Sequence, residues 1–140
     1  MAGTRGEQAL VERWRGILAL HARTQCELDR ALHRHGLCAS DFEVLDVLAA
    51  HRPCALRVQE ISERVHLSQS ALSRLIARLE RDGLVERAVC AEDRRGVRVV
   101  LTPKGRALHG RVLPVQRAVL TRMLADRAGP EGTAAPPAGG

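Results

Sequence analysis

The fold of this chain is decided by residues 58–83, which read VQEISERVHLSQSALSRLIARLERDG. Ile61 and Val65 lie on one face of a first segment, which predicts a short helix ending at Val65. After a short break, Ser68 is suited to cap a second helix, and Gly83 is suited to end it. The apolar residues of the second helix recur at helical spacing as Leu72, Leu75, Ile76 and Leu79. A short helix, a tight turn and a longer amphipathic helix form a helix-turn-helix.

A β-hairpin is predicted directly after this motif. Residues 84–89 alternate between apolar and polar, and residues 97–101 are rich in β-branched side chains. A polar turn from Ala91 to Gly96 separates the two segments. A hairpin that follows a helix-turn-helix is a wing, so these residues predict a winged helix-turn-helix.

Long helices are predicted on both sides of this unit. Residues 7–32 carry apolar side chains on a 3-then-4 step, which predicts a helix of about 25 residues that His35 and Gly36 close. This helix is longer than a small domain needs, so its apolar seam is expected to meet a partner chain. The seam consists of Val11, Trp14, Leu18, Leu28 and Leu32. Beyond the wing, Thr102 and Pro103 open a last helix, in which we expect a kink at Pro114.

The second helix and the tail complete the predicted fold, which is mainly α with a small β-hairpin wing. Ser40 and Glu43 have the spacing of a capping box, which predicts a helix from Ser40 to about His51. Residues 129–140 are rich in Gly, Pro and Ala, and we expect them to be disordered.

The composition favours duplex DNA over other acidic partners. The chain of 140 residues has 22 basic and 16 acidic residues, a net charge of +6. Between Ala55 and Gly110 there are 11 basic and 7 acidic residues, 11 − 7 = +4, so most of the excess lies on the helix-turn-helix and wing. Trp14 and Phe42 are the only aromatic residues. This scarcity argues against single-stranded nucleic acids, whose bases stack on aromatic side chains.

Other classes of function have no support in the sequence. No apolar run is long enough to span a membrane, and residues 1–8 do not resemble a signal peptide, so a cytoplasmic protein without membrane contact is expected. No sequence motif of an enzyme or of cofactor binding is present. We therefore expect a protein that is not an enzyme and needs no cofactor.

The outward face of the second helix of the motif is small at its start and basic towards its end. It carries Ser70, Ser73, Arg74, Ala77, Arg78 and Arg81. Small side chains let a helix approach the major groove closely, and Arg can read base edges there. At the wing tip, Arg94 and Arg95 suit a narrow minor groove, where Asp93 can hold one of them. Either feature alone is also typical of a solvated surface, but their combination matches a DNA-docking unit.

These motifs together closely resemble the MarR family of bacterial transcription regulators. The resemblance is carried by His66-Leu67-Ser68-Gln69-Ser70-Ala71-Leu72-Ser73-Arg74, Asp82-Gly83-Leu84-Val85-Glu86-Arg87, Asp93-Arg94-Arg95-Gly96 and Leu101-Thr102-Pro103-Lys104-Gly105. It extends from Glu7 to Met123. It implies dimerisation through the outer helices and minor-groove insertion of Arg95, braced by Asp93. It also implies contacts to the major groove or its phosphates from Ser68, Gln69, Ser70, Ser73, Arg74 and Arg78. Family members usually continue into a further helix, whereas this chain becomes rich in Gly and Pro from Ala128.

We therefore predict a sequence-specific, double-stranded DNA-binding transcriptional regulator. It acts as a homodimeric repressor on a pseudo-palindromic operator and is relieved by a small effector. The alternative is a protein-interaction adaptor that uses a winged helix without sequence-specific DNA binding. The expected regions are an N-terminal dimerisation helix with the second helix at 7–54, a DNA-binding region at 55–102, a C-terminal dimerisation helix at 103–128 and the tail at 129–140.

An effector pocket has four candidate residues. Trp14, Arg15, Phe42 and Glu43 would border an apolar pocket with a basic rim, suited to a small aromatic or anionic effector. The competing interpretation, which we favour, is that Trp14 and Phe42 fill the core.

Thiol oxidation and zinc are two other means of sensing. Cys26 and Cys90 are the redox candidates, and Arg23 and Arg30 beside Cys26 would favour its thiolate. A buried, inert Cys26 is the more usual state, and a reducing cytoplasm predicts no structural disulfide. The histidines and cysteines that zinc could use lack the usual ligand spacing, so we expect no metal site. They are His33, His35, Cys38, His51 and Cys54, with Asp46 nearby.

Overall fold

A computed structural model describes residues 3–90 and 93–125, without the side chains of residues 93–95. Within that range the helices are α1 (Arg5–Leu32), α2 (Ala39–Ala49), α3 (Val58–Val65), α4 (Gln69–Arg81) and α5 (Pro103–Leu120). The strands β1 (Val85–Cys90) and β2 (Asp93–Leu101) form an antiparallel pair. A 3₁₀ turn at His33–His35 follows α1, and a π-helical turn at Thr121–Ala125 follows α5. This architecture confirms the predicted class, mainly α with a hairpin wing.

The helix-turn-helix has the bounds that the sequence predicts. Ser68 Oγ accepts the backbone N–H of Ala71 at 3.1 Å and thereby caps α4. Gly83 follows α4 with φ +77°, a left-handed conformation that favours glycine. The apolar face of α4 is buried against α2, α3, the wing base and α5 in one core. Its buried residues are Leu72, Leu75, Ile76 and Leu79. Helix α4 is therefore positioned by side-chain packing along its whole length.

Helix α2 begins one residue before the predicted start and is capped differently. Its N-cap is Cys38, whose backbone N–H donates to Asp41 Oδ2 at 3.0 Å. Asp29 Oδ1, on α1, accepts the N–H of Ala39 at 2.7 Å. The predicted Ser40–Glu43 capping box is therefore wrong. The reason is that α1 brings a carboxylate to the start of α2, a contact that local spacing cannot reveal.

Helix α1 has two contrasting halves. Residues 3–19 are all exposed, whereas Thr24, Leu28 and Leu32 are buried. The predicted seam is thus divided, because only its C-terminal part packs on the chain's own core. Trp14 is 58% exposed, so the expectation that both aromatic residues fill the core is wrong for Trp14. Phe42 is fully buried, as expected.

The wing differs from its prediction in two ways. Asp93–Gly96 belongs to β2 and not to a long turn, while residues 91 and 92 lie outside the described range. Cys54 and Cys90 form a disulfide, so the expectation of no disulfide is wrong. The loop between α2 and α3 folds against the wing, where the N–H of Val99 donates to the Leu56 carbonyl at 3.2 Å. That contact brings together two cysteines separated by 36 residues.

Helix α5 opens as predicted, with Thr102 Oγ1 accepting the N–H of Gly105 at 3.0 Å. Pro114 lies inside α5, and the kink there stays a prediction. Of the helices in the described ranges, none has the length and apolar character to cross a bilayer. The predicted tail at 129–140 lies outside the described residues.

Candidate nucleic-acid interface

The exposed face of α4 carries the side chains that the sequence predicts for DNA contact. Ser68, Gln69, Ser70, Ser73 and Arg74 are all exposed. The first turn of α4 contains only small or uncharged side chains at these exposed positions, so its backbone is accessible to a large partner. Arg74 is absent from the ion pairs formed within residues 3–90 and 93–125. This face can therefore approach a phosphate backbone and offer one unneutralised Arg.

Arg78 has a partner that the sequence did not predict. Its Nη2 donates to Oδ1 of Asp41, a residue only 3% exposed. The second oxygen of Asp41 accepts the N–H of Cys38. This ion pair with a buried carboxylate links α4 to the start of α2, so Arg78 helps to hold α4 in place. Arg78 also lies at the edge of the exposed face of α4. Asp41 lies among the buried apolar residues of α2, and a carboxylate in such a position is the sequence signal for an ion pair.

Asp41 also affects the pKa of the Cys38 thiol. Burial raises the pKa of Cys38, and the negative charge of Asp41 raises it further, although the hydrogen bond from the backbone opposes these effects. Cys38 is therefore a protonated, half-buried thiol at neutral pH and part of the helix cap.

The base of the wing is fastened to the end of α4 by hydrogen bonds. Thr102 Oγ1 donates to the Gly83 carbonyl at 2.6 Å, and Lys104 Nζ donates to the Asp82 carbonyl at 2.8 Å. The N–H of Thr102 donates to the Leu84 carbonyl at 3.1 Å. A Cβ at Gly105 would lie 1.9 Å from that same carbonyl oxygen, so only glycine fits there. We call these contacts the clasp. The clasp gives the Asp82-Gly83 and Thr102-Pro103-Lys104-Gly105 motifs a structural role.

The tip of the wing is described through its backbone. Cys90 pairs with Asp93, and Arg94 and Arg95 follow in β2. The side chains of Asp93, Arg94 and Arg95 lie outside the described part of the chain, so their roles at DNA stay predictions. Val89 and Val97, near this end of the hairpin, are 66% and 43% exposed.

The predicted effector residues are not brought together. A groove of about 540 Å³ lies between α1, α2 and the helix-turn-helix turn, and Glu43 is the only one of the four candidates that lines it. Phe42 is buried and stacks on His109 with ring centroids 5.3 Å apart. Trp14 and Arg15 lie on the exposed half of α1. Burial and the nearby Asp46 raise the pKa of Glu43, and Arg117 partly offsets that rise.

The candidate redox and metal residues also differ from expectation. Cys26 is exposed, and the usual buried state is therefore wrong for it. Cys90 is half-buried and bonded to Cys54, so this redox candidate is not a free thiol in the structure. In residues 3–90 and 93–125, no three His, Cys, Asp or Glu side chains are grouped to hold a metal ion.

The fold and this surface define a winged helix-turn-helix protein. A model of the MarR family matches residues 35–96. The transcriptional repressor MdtR of Bacillus subtilis is 31% identical over 108 residues, 77% of this chain and 68% of MdtR. The structure of AbsC, a MarR family transcriptional regulator from Streptomyces coelicolor, is similar with a TM-score of 0.79 and 31% identity, covering 94% of this chain and 86% of AbsC.

A second Streptomyces coelicolor regulator of the family, Sco3205 in complex with DNA, is similar with a TM-score of 0.78 and 30% identity. It covers 94% of this chain and 81% of Sco3205. The chain belongs to the MarR family of transcriptional regulators. The members of this family are regulators and not enzymes, in agreement with the sequence prediction.

Proposed function

We propose that this chain is a cytoplasmic repressor that binds duplex DNA at a specific pseudo-palindromic site as a homodimer and is released by a small effector. The observation that carries the proposal is the exposed face of α4, small at its start and bearing the unneutralised Arg74, on a helix that packing and the Arg78–Asp41 pair hold in place. A helix with one buried stripe and such a face is suited to the major groove. Sco3205, similar over most of the chain, has been solved with DNA.

We assign the proposed DNA contacts from the exposure and charge of each side chain. Arg74 reads a base edge, while Ser68 and the N-terminal N–H groups of α4 contact phosphate. Gln69, Ser70 and Ser73 lie against the groove. Arg78 contributes a phosphate contact with the part of its guanidinium that Asp41 leaves accessible, since the side chain is 43% exposed. Arg94 and Arg95 enter the adjacent minor groove, with Asp93 bracing Arg95.

Dimerisation is supported by the N-terminal half of α1. Five large apolar side chains lie within one 120° sector of this helix and are 38–65% exposed, namely Leu10, Val11, Trp14, Ile17 and Leu18. An apolar stripe on a helix that extends beyond its own core is suited to a second copy of the same helix. A dimer also gives two recognition helices, which a two-fold symmetric operator requires.

The dimer is tested by sedimentation equilibrium on the full chain. The wild type is expected at about twice its 15.3 kDa mass. Trp14→Glu is expected to sediment as a single chain, because it places a charge in the centre of the apolar stripe. Ala9→Glu, on the opposite and exposed side of α1, is the matched control and should remain a dimer. A wild type that sediments as a monomer would overturn this part of the proposal.

The effector is proposed to bind in the groove that Glu43 lines. His21, Thr24 and Leu28 of α1 face Ala39 and Glu43 of α2 across it, next to the turn that precedes α4. A ligand there would favour one arrangement of α1 relative to the helix-turn-helix and so change the separation of the two recognition helices. The residues that line the groove include Glu43 and neither Arg nor Lys. His21 and His66 also line it. Since these described residues include a carboxylate and no permanently charged cation, the groove favours an uncharged aromatic molecule over the anionic one that the sequence suggested.

The function is tested by footprinting the chain on the DNA upstream of its own gene. The proposal predicts two protected patches about one helical turn apart, on one face of the duplex. Uncharged aromatic compounds should remove the protection, and Ser40→Leu, which fills the groove, should bind DNA but no longer respond. An adaptor would show no defined footprint and only the DNA affinity of any basic protein, an outcome that would refute the proposed function.

A further inference from the structure

The Cys54–Cys90 disulfide joins the loop between α2 and α3 to the wing. Cys54 lies in the loop between α2 and α3, and Cys90 is the last residue of β1, directly before the wing turn. Both residues are half-buried, so small molecules can reach the bond. In a compartment that keeps thiols reduced, accessible disulfides form transiently and usually have a regulatory role.

The bond lies where the hairpin is held least by its own strands. Regular pairing runs from Val85 opposite Leu101 to Ala88 opposite Arg98. The register is then broken, and the next pair is Cys90 with Asp93. Four residues of β2, including Arg94 and Arg95, lie opposite one residue of β1 at this break. The backbone that carries the wing arginines therefore departs from regular pairing between these two pairs.

The two ends of the wing are anchored by different means. The base is held by the clasp and by the hydrogen bond from Val99 to Leu56. Near the tip, the disulfide ties β1 to the α2–α3 loop. Cys54 has φ +67°, a left-handed conformation that residues other than glycine seldom adopt. Breaking the bond removes the covalent tie between the loop and the end of β1, while the base keeps its contacts and Arg57 still lies against Gly96.

We propose that Cys54 and Cys90 are a reversible redox site that regulates DNA affinity by fixing or releasing the tip of the wing. The inference rests on the proposed DNA-binding function. The oxidised chain holds the Arg94–Arg95 backbone in one position before DNA is met, so less conformational freedom is lost on binding. The reduced chain must order the tip on DNA and binds more weakly. Oxidation therefore strengthens repression.

The chemistry requires a two-electron oxidant, for which a hydroperoxide serves. One thiolate attacks the peroxide, forms a sulfenic acid and releases water or an alcohol. The other thiol then attacks that sulfur, the S–S bond forms, and its oxygen leaves as a second molecule of water. The two thiols lose two electrons and two protons in total. A dithiol reductant reverses the reaction through a mixed disulfide.

The proposal is tested with the full-length variant C26S/C38S, which keeps only the Cys54–Cys90 pair. Its affinity for the footprinted duplex is measured by fluorescence anisotropy after treatment with hydrogen peroxide and after dithiothreitol. We expect reduction to weaken binding about fivefold and peroxide to restore it. The matched variant C54S/C90S should have the reduced affinity under both conditions. Equal affinity of the two redox states, or C54S/C90S binding as tightly as the oxidised pair, would overturn the proposal.

Two readouts do not depend on DNA and separate this inference from the proposed function. Thiol titration of the peroxide-treated wild type should leave two reactive cysteines, and four would exclude the bond. Amide hydrogen exchange of residues 85–101 should quicken on reduction at the tip and not at the base. If both hold but no duplex is bound specifically, the proposed function fails. If the duplex is bound and the exchange rates do not change, the redox inference fails.

Discussion

Helix α4 and the wing are held in place by different interactions. Helix α4 is fixed along its length by four buried apolar residues and by the Arg78–Asp41 pair. The wing is fixed at its base by the clasp and near its tip by one covalent bond. Moving α4 requires opening the core, whereas the end of the wing is tied by the disulfide and by Arg57, whose side chain lies against Gly96. Our proposals therefore place sequence specificity on the rigid element and adjustable affinity on the other.

Among the variants that test this comparison, the largest loss of stability is expected at Gly105. Gly105→Ala forces a Cβ against the Leu84 carbonyl and should lower the free energy of unfolding by about 3 kcal/mol. Urea unfolding monitored by circular dichroism measures this change in the free energy of unfolding. Gly110→Ala, in the same helix with nothing within 4 Å of the added Cβ, is the control. It should raise stability by up to about 1 kcal/mol, and equal effects of the two variants would contradict a role for the clasp.

Removing the ion pair should separate stability from binding within α4. Arg78→Met leaves the buried Asp41 carboxylate without its cation and should cost about 2 kcal/mol of stability. Arg74→Met, one turn earlier and exposed, should leave the urea midpoint within about 0.5 kcal/mol of the wild type. If Arg78→Met were as stable as Arg74→Met, the pair with Asp41 would have no part in positioning α4.

The wing should contribute less to affinity than α4. Arg95→Ala is expected to cost about 1 kcal/mol on operators with AT-rich flanks, where the minor groove is narrow, and less on GC-rich flanks. The slope of log affinity against log salt should fall by about one per protomer. Anisotropy titrations at several salt concentrations measure both. Equal losses on the two kinds of flank would argue against minor-groove insertion.

The smallest effect concerns Glu43, beside the groove and away from both DNA-facing elements. Its pKa is raised in the folded chain by burial and by Asp46, so the ionised carboxylate destabilises the fold above that raised pKa. The penalty disappears as the pH falls below the ordinary value of 4.5. Glu43→Gln should therefore gain less than about 1 kcal/mol at pH 7 and lose that gain by about pH 4. A gain independent of pH would contradict this origin.

The sequence predicted the elements whose signals are local. Helices α3 and α4 have the expected bounds because their apolar periods, Ser68 and Gly83 lie within the segment itself. The start of α2 was missed because Asp29 on another helix stabilises it. The Cys54–Cys90 bond was missed because the loop contact at Leu56 and Val99 creates it. Trp14 was assigned to the core because the helical period does not show which part of the α1 seam packs on the chain's own core.

The candidate site was also predicted only in part. The exposed positions of α4 followed from the helical period, since the face opposite a buried stripe must be accessible. The second role of Arg78 did not follow, because its partner Asp41 lies 37 residues away. The lining of the groove did not follow either, because the groove is formed by α1, α2 and the turn before α4 together.

The central claim is that Arg74 on α4 makes this chain discriminate between DNA sequences. It is tested most directly by the ratio of dissociation constants for the footprinted duplex and a shuffled duplex, at one salt concentration, for the wild type and Arg74→Ala. We predict a wild-type ratio of about 1,000 or more, reduced about tenfold or more in Arg74→Ala, with little change on the shuffled duplex. A wild type that binds both duplexes alike, or a variant that keeps the full ratio, would contradict the claim.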